Sequence, residues 1–325
     1  MKAVRIHEYG GPEVLVYEEA ETPAPGPGQV LVRVKAAAVN QVDVAIRRNA
    51  FPTPKQVPRI LGSDGAGVVE ALAPDVDGVR PGDEVFFTGL GISVDGSYAE
   101  YAVLPAAVMA VPKPASVSFE DAASLGVAFS AASYALVRRG RLDEGETVLV
   151  QGGAGGVGSA AVQLARALGA RVLATVVYAA DVAGVVDLGA EAVVDASVSD
   201  VTAEVRRLTD GKGVDLVLEL VASENLATDV GLIVKGGRIV VLGAGPEPSV
   251  TLATGAAIGV DASVLFANAG NAGRAGTAEI LAEVARLVDQ GKLKPVVGQV
   301  LPLEQARRAH ELLDGHHFGK IVLVP

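Results

Sequence analysis

Residues 146–165 read ETVLVQGGAGGVGSAAVQLA, and they constrain the fold more than any other stretch of the chain. Thr147 to Val150 are β-branched or aliphatic without interruption, the mark of a strand buried on both faces. Gly153, Gly155 and Gly158 come next in G-x-G-x-x-G spacing. From Ser159 an Ala-rich helical pattern runs to Leu168-Gly169, a glycine stop. Strand, tight glycine turn and helix together form a dinucleotide-binding fingerprint. In it, Gly153 allows the turn, Gly155 lets backbone approach a pyrophosphate, and Gly158 lets helix and strand pack closely. The free N–H groups and positive dipole of the helix start hold the phosphates, with Ala154, Gly156 and Val157 completing the candidate loop. The bare spacing would also suit a structural turn; the flanking strand and helix favour the nucleotide.

Beyond Gly169 the chain repeats the same unit. Strands are expected at 146–151, 171–177, 191–195, 214–220 and 237–243 with helices between them, which reads as an α/β Rossmann-type, doubly wound parallel sheet. Ala262–Ala267 looks like one more strand; a helix at about 276–290, strand Val296–Leu301, a helix at 303–313 and a strand at 319–324 close the chain. Before residue 119 the character differs. Short strands are expected at Ala3–Ile6, Leu15–Glu18 and Gln29–Lys35, with Ala36–Asp43 opening a short helix that carries Arg47 and Arg48. A Pro-rich loop (Pro52, Pro54, Pro58) leads to glycines beside β-branched residues at 60–69, a strand with close backbone approach. Further strands at Gly78–Val85 and Gly96–Val103, with Gly/Pro turns, point to a β-barrel-like domain. Residues 119–140 turn helical and stop at Gly140. A nucleotide domain at 120–262 is therefore expected within a catalytic domain built from 1–119 and 263–325.

Composition narrows the function. A net charge of −11 argues against nucleic acid as a partner, since phosphate binding needs clustered Lys and Arg. No apolar run reaches the ~20 residues needed to span a bilayer, and the N-terminus lacks a signal-peptide core, so a cytoplasmic protein is expected. Cysteine is absent, which excludes disulfides, thiol catalysis and Cys-ligated zinc. Histidine occurs at 7, 310, 316 and 317, with no convincing ligand set nearby in sequence.

An ordered set of motifs completes the picture: Gly10–Leu15, Val39-Asn-Gln-Val-Asp43, Gly62-Ser-Asp-Gly-Ala-Gly67, Pro81–Val85, Gly96–Tyr101, Gly152–Gly158 and Gly319-Lys-Ile-Val-Leu323. Spread from near the first residue to the last, it resembles the medium-chain dehydrogenase/reductase superfamily, in its zinc-free quinone oxidoreductase (zeta-crystallin-like) branch. The resemblance implies a GroES-like catalytic domain beside the Rossmann domain. In the alcohol-dehydrogenase cousins a Cys and a His bind catalytic zinc at the places matching Asn40 and Ser63, and neither Asn nor Ser is a usual zinc ligand, so no metal is expected. Without a Lewis acid to make an alkoxide, the reductive direction on an electron-poor acceptor is implied. Quinones fit, and α,β-unsaturated carbonyls (an enoyl or 2-alkenal reductase) are the alternative. A nucleotide-binding crystallin-like protein without turnover is the reading from another class.

By the same resemblance the nicotinamide lies near Asn40, Ser130 and the strand end Leu242-Gly243-Ala244, with Asn40 and Ser130 as catalytic, orienting groups. Lys320, in the Gly319-Lys motif, joins the cofactor-binding candidates. Asp43 and Asp64 read as structural carboxylates, Tyr98 and Tyr101 as core or wall residues, and Arg47 and the C-terminal histidines as surface groups. An Asp or Glu about 20 residues past the glycines would grip the ribose of NAD; Val176 and Val177 stand there instead, leaving room for a 2′-phosphate. Relatives place a Lys and a Tyr at the positions of Asp181 and Ala196, so the phosphate-holding groups differ here. NADPH is expected first, with Thr175 and Tyr178 beside its ribose, and NADH is the alternative. A homodimer is expected through the apolar strand Ser263–Phe266.

Overall fold

The computed structural model describes residues 1–50, 53–247 and 249–325; Pro52 of the Pro-rich loop lies outside the described residues. The chain divides into two compact units, Met1–Val127 with Ala272–Pro325, and Ala128–Asn271. Among the described residues no helix is long and apolar enough to cross a membrane.

The first unit opens with β1 (Lys2–Ile6), β2 (Val16–Glu19), β3 (Gln29–Ala38), α1 (Gln41–Arg47) and β4 (Arg59–Ile60). It continues with β5 (Asp64–Leu72), β6 (Glu84–Phe87), β7 (Tyr101–Pro105), α2 (Ala106–Met109) and β8 (Val111–Pro112). Helix α3 (Phe119–Ser133) then runs from the first unit into the second and passes into a π-helical turn, Tyr134–Arg139, before Gly140. The second unit alternates β9 (Thr147–Val150), α4 (Gly156–Ala167), β10 (Arg171–Val176), α5 (Val182–Leu188), β11 (Ala192–Asp195) and α6 (Val201–Leu208). It ends with β12 (Val214–Glu219), α7 (Ala222–Asp229), β13 (Ile233–Val241), α8 (Thr254–Gly259) and β14 (Ser263–Phe266). The chain then returns to the first unit with α9 (Gly273–Asp289), β15 (Val297–Pro302), α10 (Ala306–Leu313) and β16 (Lys320–Val324).

In the first unit a sheet runs β15-β16-β3-β5-β6-β8, with β7 paired to β3, and a smaller sheet runs β2-β1-β4. The strand expected to stop at Lys35 continues to Ala38. Ala36 to Ala38 pair with Asp64 to Ala66 on one side, and Ala37 and Ala38 pair with Leu323 and Val322 on the other. Three alanines favour helix on their own, but two flanking strands and complete burial override that preference. The close approach expected of the glycine strand is present: a Cβ on Gly67 would sit 2.2 Å from the Arg33 carbonyl oxygen. The strand expected over Gly96–Val103 starts only at Tyr101.

The second unit holds a six-stranded sheet in the order β11-β10-β9-β12-β13-β14, parallel throughout. Its strands are apolar because helices cover both faces; Leu149, Leu173, Val217, Leu226 and Ile239 meet in its core. The order reverses at β9, so the β9–α4 turn lies at the sheet's switch point, where α/β sheets receive ligands. Ser263–Phe266, expected to begin the returning catalytic segment, pairs with Arg238–Val241 as the edge of this sheet.

Candidate active site

In the second unit β9 delivers the chain to Gln151 and a glycine turn. The left-handed residue of that turn is Gly152 (φ 74°), one position before the glycine expected to make it. Gly153 serves packing instead: a Cβ there would lie 3.0 Å from the Ala174 Cβ and 3.1 Å from Val185 Cγ1. Gly155 is the N-cap of α4, and a Cβ on it would meet nothing nearer than the Gly152 oxygen at 3.9 Å, so open space faces the loop there. Gly158 is the close-packing position, since its Cβ would fall 2.0 Å from the Gly152 carbonyl oxygen. Gly156, Val157 and Gly158 form the first turn of α4, whose N–H groups have no intrahelical acceptor. An open face backed by free donors and a helix dipole fits a pyrophosphate.

Thr175 ends its hydrogen bonds on the loop. Its Oγ1 accepts from the Gly152 N–H (3.0 Å) and donates to Gln151 Oε1 (2.8 Å), while its carbonyl accepts from the Gly153 N–H (2.8 Å). The hydroxyl thus shapes the turn rather than reaching outward. Val177 and Tyr178, 61% and 45% exposed, come after it just beyond β10. Asp181, the carboxylate placed to oppose a 2′-phosphate, is only 5% exposed at the start of α5. Beyond β13, Leu242 and Gly243 are half-buried and Ala244 is exposed. That segment is tied to the turn after β12: Leu242 N–H donates to the Glu219 carbonyl (2.9 Å), and the Gly243 and Ala244 carbonyls accept from Ala222 and Ser223 (3.0 and 2.9 Å). Ser130 is buried near the end of α3.

In the first unit Asn40 is the N-cap of α1, and its backbone N–H donates to Asp43 Oδ2 (2.9 Å). Its side chain is wholly engaged. Nδ2 donates to the Ala38 carbonyl (3.1 Å) and to Asp64 Oδ2 (2.9 Å), and Oδ1 accepts a short hydrogen bond from Lys320 Nζ. Lys320 also donates to the Val39 carbonyl (2.7 Å) and stands 3.9 Å from Asp64 Oδ2. Its ammonium therefore points into this buried cluster. Ser63 donates to Asp43 Oδ1 (2.8 Å). Asn40 and Ser63 thus both donate to carboxylates. Burial pushes Asp43 up to about 6, with Asp64 adding to the shift against Ser63 and Lys320. Burial also raises Asp64 and lowers Lys320, whose charge the two carboxylates support.

Two surface assignments need correction. Arg47 and His310 are both fully buried. Arg47 Nη1 donates to His310 Nδ1 (3.0 Å), and the far ring nitrogen meets the Tyr98 hydroxyl (3.2 Å), which donates to Asp43 Oδ2 (3.2 Å). The guanidinium donor at Nδ1 fixes the tautomer with the proton on Nε2. Burial, then Arg47 and Arg48, push His310 down to about 3, so it stays neutral. The asparagine–lysine–carboxylate cluster and this tyrosine–histidine–arginine chain share Asp43. The helix start carrying Asn40 is therefore held from both sides.

Comparison with known proteins agrees with this architecture. Residues 26–115 match the family model of the alcohol dehydrogenase GroES-like domain, and residues 188–323 match that of the zinc-binding dehydrogenases. The quinone oxidoreductase of Mus musculus is 36% identical over 338 residues, covering 100% of this chain and 98% of its own. A solved NAD-dependent alcohol dehydrogenase is 37% identical with a TM-score of 0.94, covering 100% of both chains. The Escherichia coli quinone oxidoreductase, solved in complex with NADPH, is 28% identical with a TM-score of 0.91 and the same full coverage.

Proposed function

Because the chain belongs to the medium-chain dehydrogenase/reductase superfamily, in its zinc-free quinone oxidoreductase branch, we propose that it is an NADPH-dependent quinone oxidoreductase. The observation that carries this reading is the glycine turn, with an open face at Gly155 and the unpaired N–H groups of α4 behind it. NADPH, when bound, supplies a hydride from its nicotinamide; the quinone takes up that hydride and a proton and leaves as hydroquinone.

The chain's own groups bind and orient. Gly155 to Gly158 seat the pyrophosphate, Val177 and Tyr178 flank the ribose, and Leu242 to Ala244 offer a fixed backbone edge to the nicotinamide. Val177 puts no carboxylate at the ribose and Asp181 is turned inward, which leaves room for a 2′-phosphate. In the second unit Ser130 is the hydroxyl proposed to orient the reactants. In the first, Asn40 is the amide proposed for that role; with Nδ2 committed to Ala38 and Asp64 it acts through a dipole fixed by Lys320 and Asp64, not as a free donor. Following the loss of reduced-nicotinamide absorbance across a panel of quinones and enones tests the reading. Turnover with quinones is expected, and tight NADPH binding without turnover of any acceptor overturns it.

The partner proposed beyond the small-molecule acceptor is a second copy of the chain. Strand β14 is an open sheet edge that carries Phe266, 68% exposed, and an apolar edge of this kind is stabilised by pairing with its twin. Light scattering at micromolar concentration should give twice the chain mass; a monomer there removes the dimer.

A further inference from the structure

Behind the glycine turn lies a buried pair of carboxyl groups that the reaction does not use. Glu219 ends β12 and Asp229 ends α7, and both are completely buried. Each has one committed oxygen. Glu219 Oε1 accepts from the Val221 N–H and from Asn225 Nδ2 (3.3 Å), and Asp229 Oδ1 accepts from Gln151 Nε2 (2.8 Å). Each also has one orphan: Glu219 Oε2 and Asp229 Oδ2 find no donor. The two carboxyls are close enough for Glu219 to raise the proton affinity of Asp229. Two ionised carboxylates are acceptors only and would repel, whereas one proton between the orphan oxygens satisfies both.

We infer that Glu219 and Asp229 share a single proton and, through Gln151 and Thr175, hold the nucleotide turn in its phosphate-binding shape. The donors run in one direction. Gly152 N–H donates to the Thr175 hydroxyl, Thr175 donates to Gln151 Oε1, and Gln151 Nε2 donates to Asp229. An amide has one oxygen and one nitrogen end, so anchoring Gln151 Nε2 on Asp229 is what presents Oε1 to Thr175. That choice in turn leaves a Thr175 lone pair to receive Gly152, the left-handed residue of the turn. Glu219 acts on the other flank of the site as well, since its carbonyl receives the Leu242 N–H. Both acids are positioning residues; neither touches the nucleotide.

Burial, reinforced by Glu219 and opposed by Gln151, raises Asp229 to about 9. The charged groups on the surrounding elements are engaged elsewhere. Glu224 on α7 is exposed, and Asp215 of β12 receives the Thr147 N–H. Arg238 of β13 is bound to Glu146, Lys235 is paired with Asp261, and Arg206 of α6 reaches the Gly231 carbonyl. Above neutral pH Asp229 is the group that changes charge: removing its proton sets two carboxylates against each other, drives α7 from β12 and releases Gln151.

The inference rests on the nucleotide reading of the loop, and titration of the full-length protein with NADPH, followed by cofactor fluorescence, separates the two. For the wild type, Kd should rise at least about fivefold from pH 8 to pH 10, as expected when binding is linked to one proton being held. Asp229→Asn and Glu219→Gln each replace the shared proton with an amide N–H that does not titrate. Each variant should bind at pH 10 as it does at pH 8, and either alone suffices if the other fails to fold. Asp229→Ala, which leaves Gln151 without its anchor, should bind more weakly at both values. An alkaline loss of equal size in wild type and isosteres overturns the shared proton while leaving the nucleotide site standing. No binding of NADPH to the wild type at pH 8 overturns the nucleotide reading and this inference with it.

Discussion

Lys320 keeps its ammonium buried. Burial lowers its affinity for the proton, and Asp64 and Asp43 oppose that shift. Replacing Lys320 with Met keeps the aliphatic stem but strands Asn40 Oδ1 and the Val39 carbonyl and leaves two buried carboxylates without their counter-charge. Breaking a buried ion pair from one side costs about 3–5 kcal/mol, and a denaturant unfolding curve for Lys320→Met should show a loss of that order. A loss under about 1 kcal/mol, the size of an exposed pair, would contradict a buried ion pair at Lys320. Little of this is legible in the sequence: the Gly319-Lys motif points to the cofactor, whereas the side chain turns to Asn40. His310 is more readable than its surface assignment allows. Ala306, Ala309, His310 and Leu313 fall on one face of α10 at the i, i+3, i+4, i+7 spacing of a buried stripe, and all four are buried. Arg47 gives less warning, because its guanidinium is held by partners distant in sequence, Gly10 and His310.

The β9–α4 element separates the duties of its glycines, and substitutions should separate them too. Gly158→Ala forces its Cβ against the Gly152 carbonyl and moves the helix off the strand. Overpacking of this kind costs about 1–3 kcal/mol, so both thermal stability and NADPH affinity should fall. Gly155→Ala places its methyl in open space, so the melting temperature should hold while NADPH binding weakens by about tenfold, roughly 1.4 kcal/mol. Calorimetric melts beside fluorescence titrations check the pair, and equal effects of both variants on stability would contradict the assignment. Strand, turn and helix are legible here because local pattern and global fold agree. The left-handed residue falls one position earlier than expected because the fingerprint fixes the glycine spacing and not the torsion of each residue. Element ends elsewhere differ where tertiary pairing wins, as in the Ala36–Ala38 extension of β3.

For the molecule as a whole, the two architectures announce themselves through the change from short Gly/Pro-bounded strands to β/α alternation. Their limits do not, because β14 looks the same in sequence whether it closes the parallel sheet or begins the return. Only its pairing with β13 decides. The acids behind the nucleotide turn are the least legible part. Glu219 shows as a charge ending the largely apolar run Val214–Leu218, but Asp229 and Gln151 carry no local mark of their meeting. Residue, element and whole fold support the proposal that NADPH sits on the turn between β9 and α4, shaped from beneath by Thr175 and Gln151. The crystal structure of the NADPH complex tests this most directly. Pyrophosphate oxygens accepting from the N–H groups of Gly156 to Gly158, with the 2′-phosphate beside Val177 and Tyr178, are the predicted result. A pyrophosphate bound away from this turn would contradict the account.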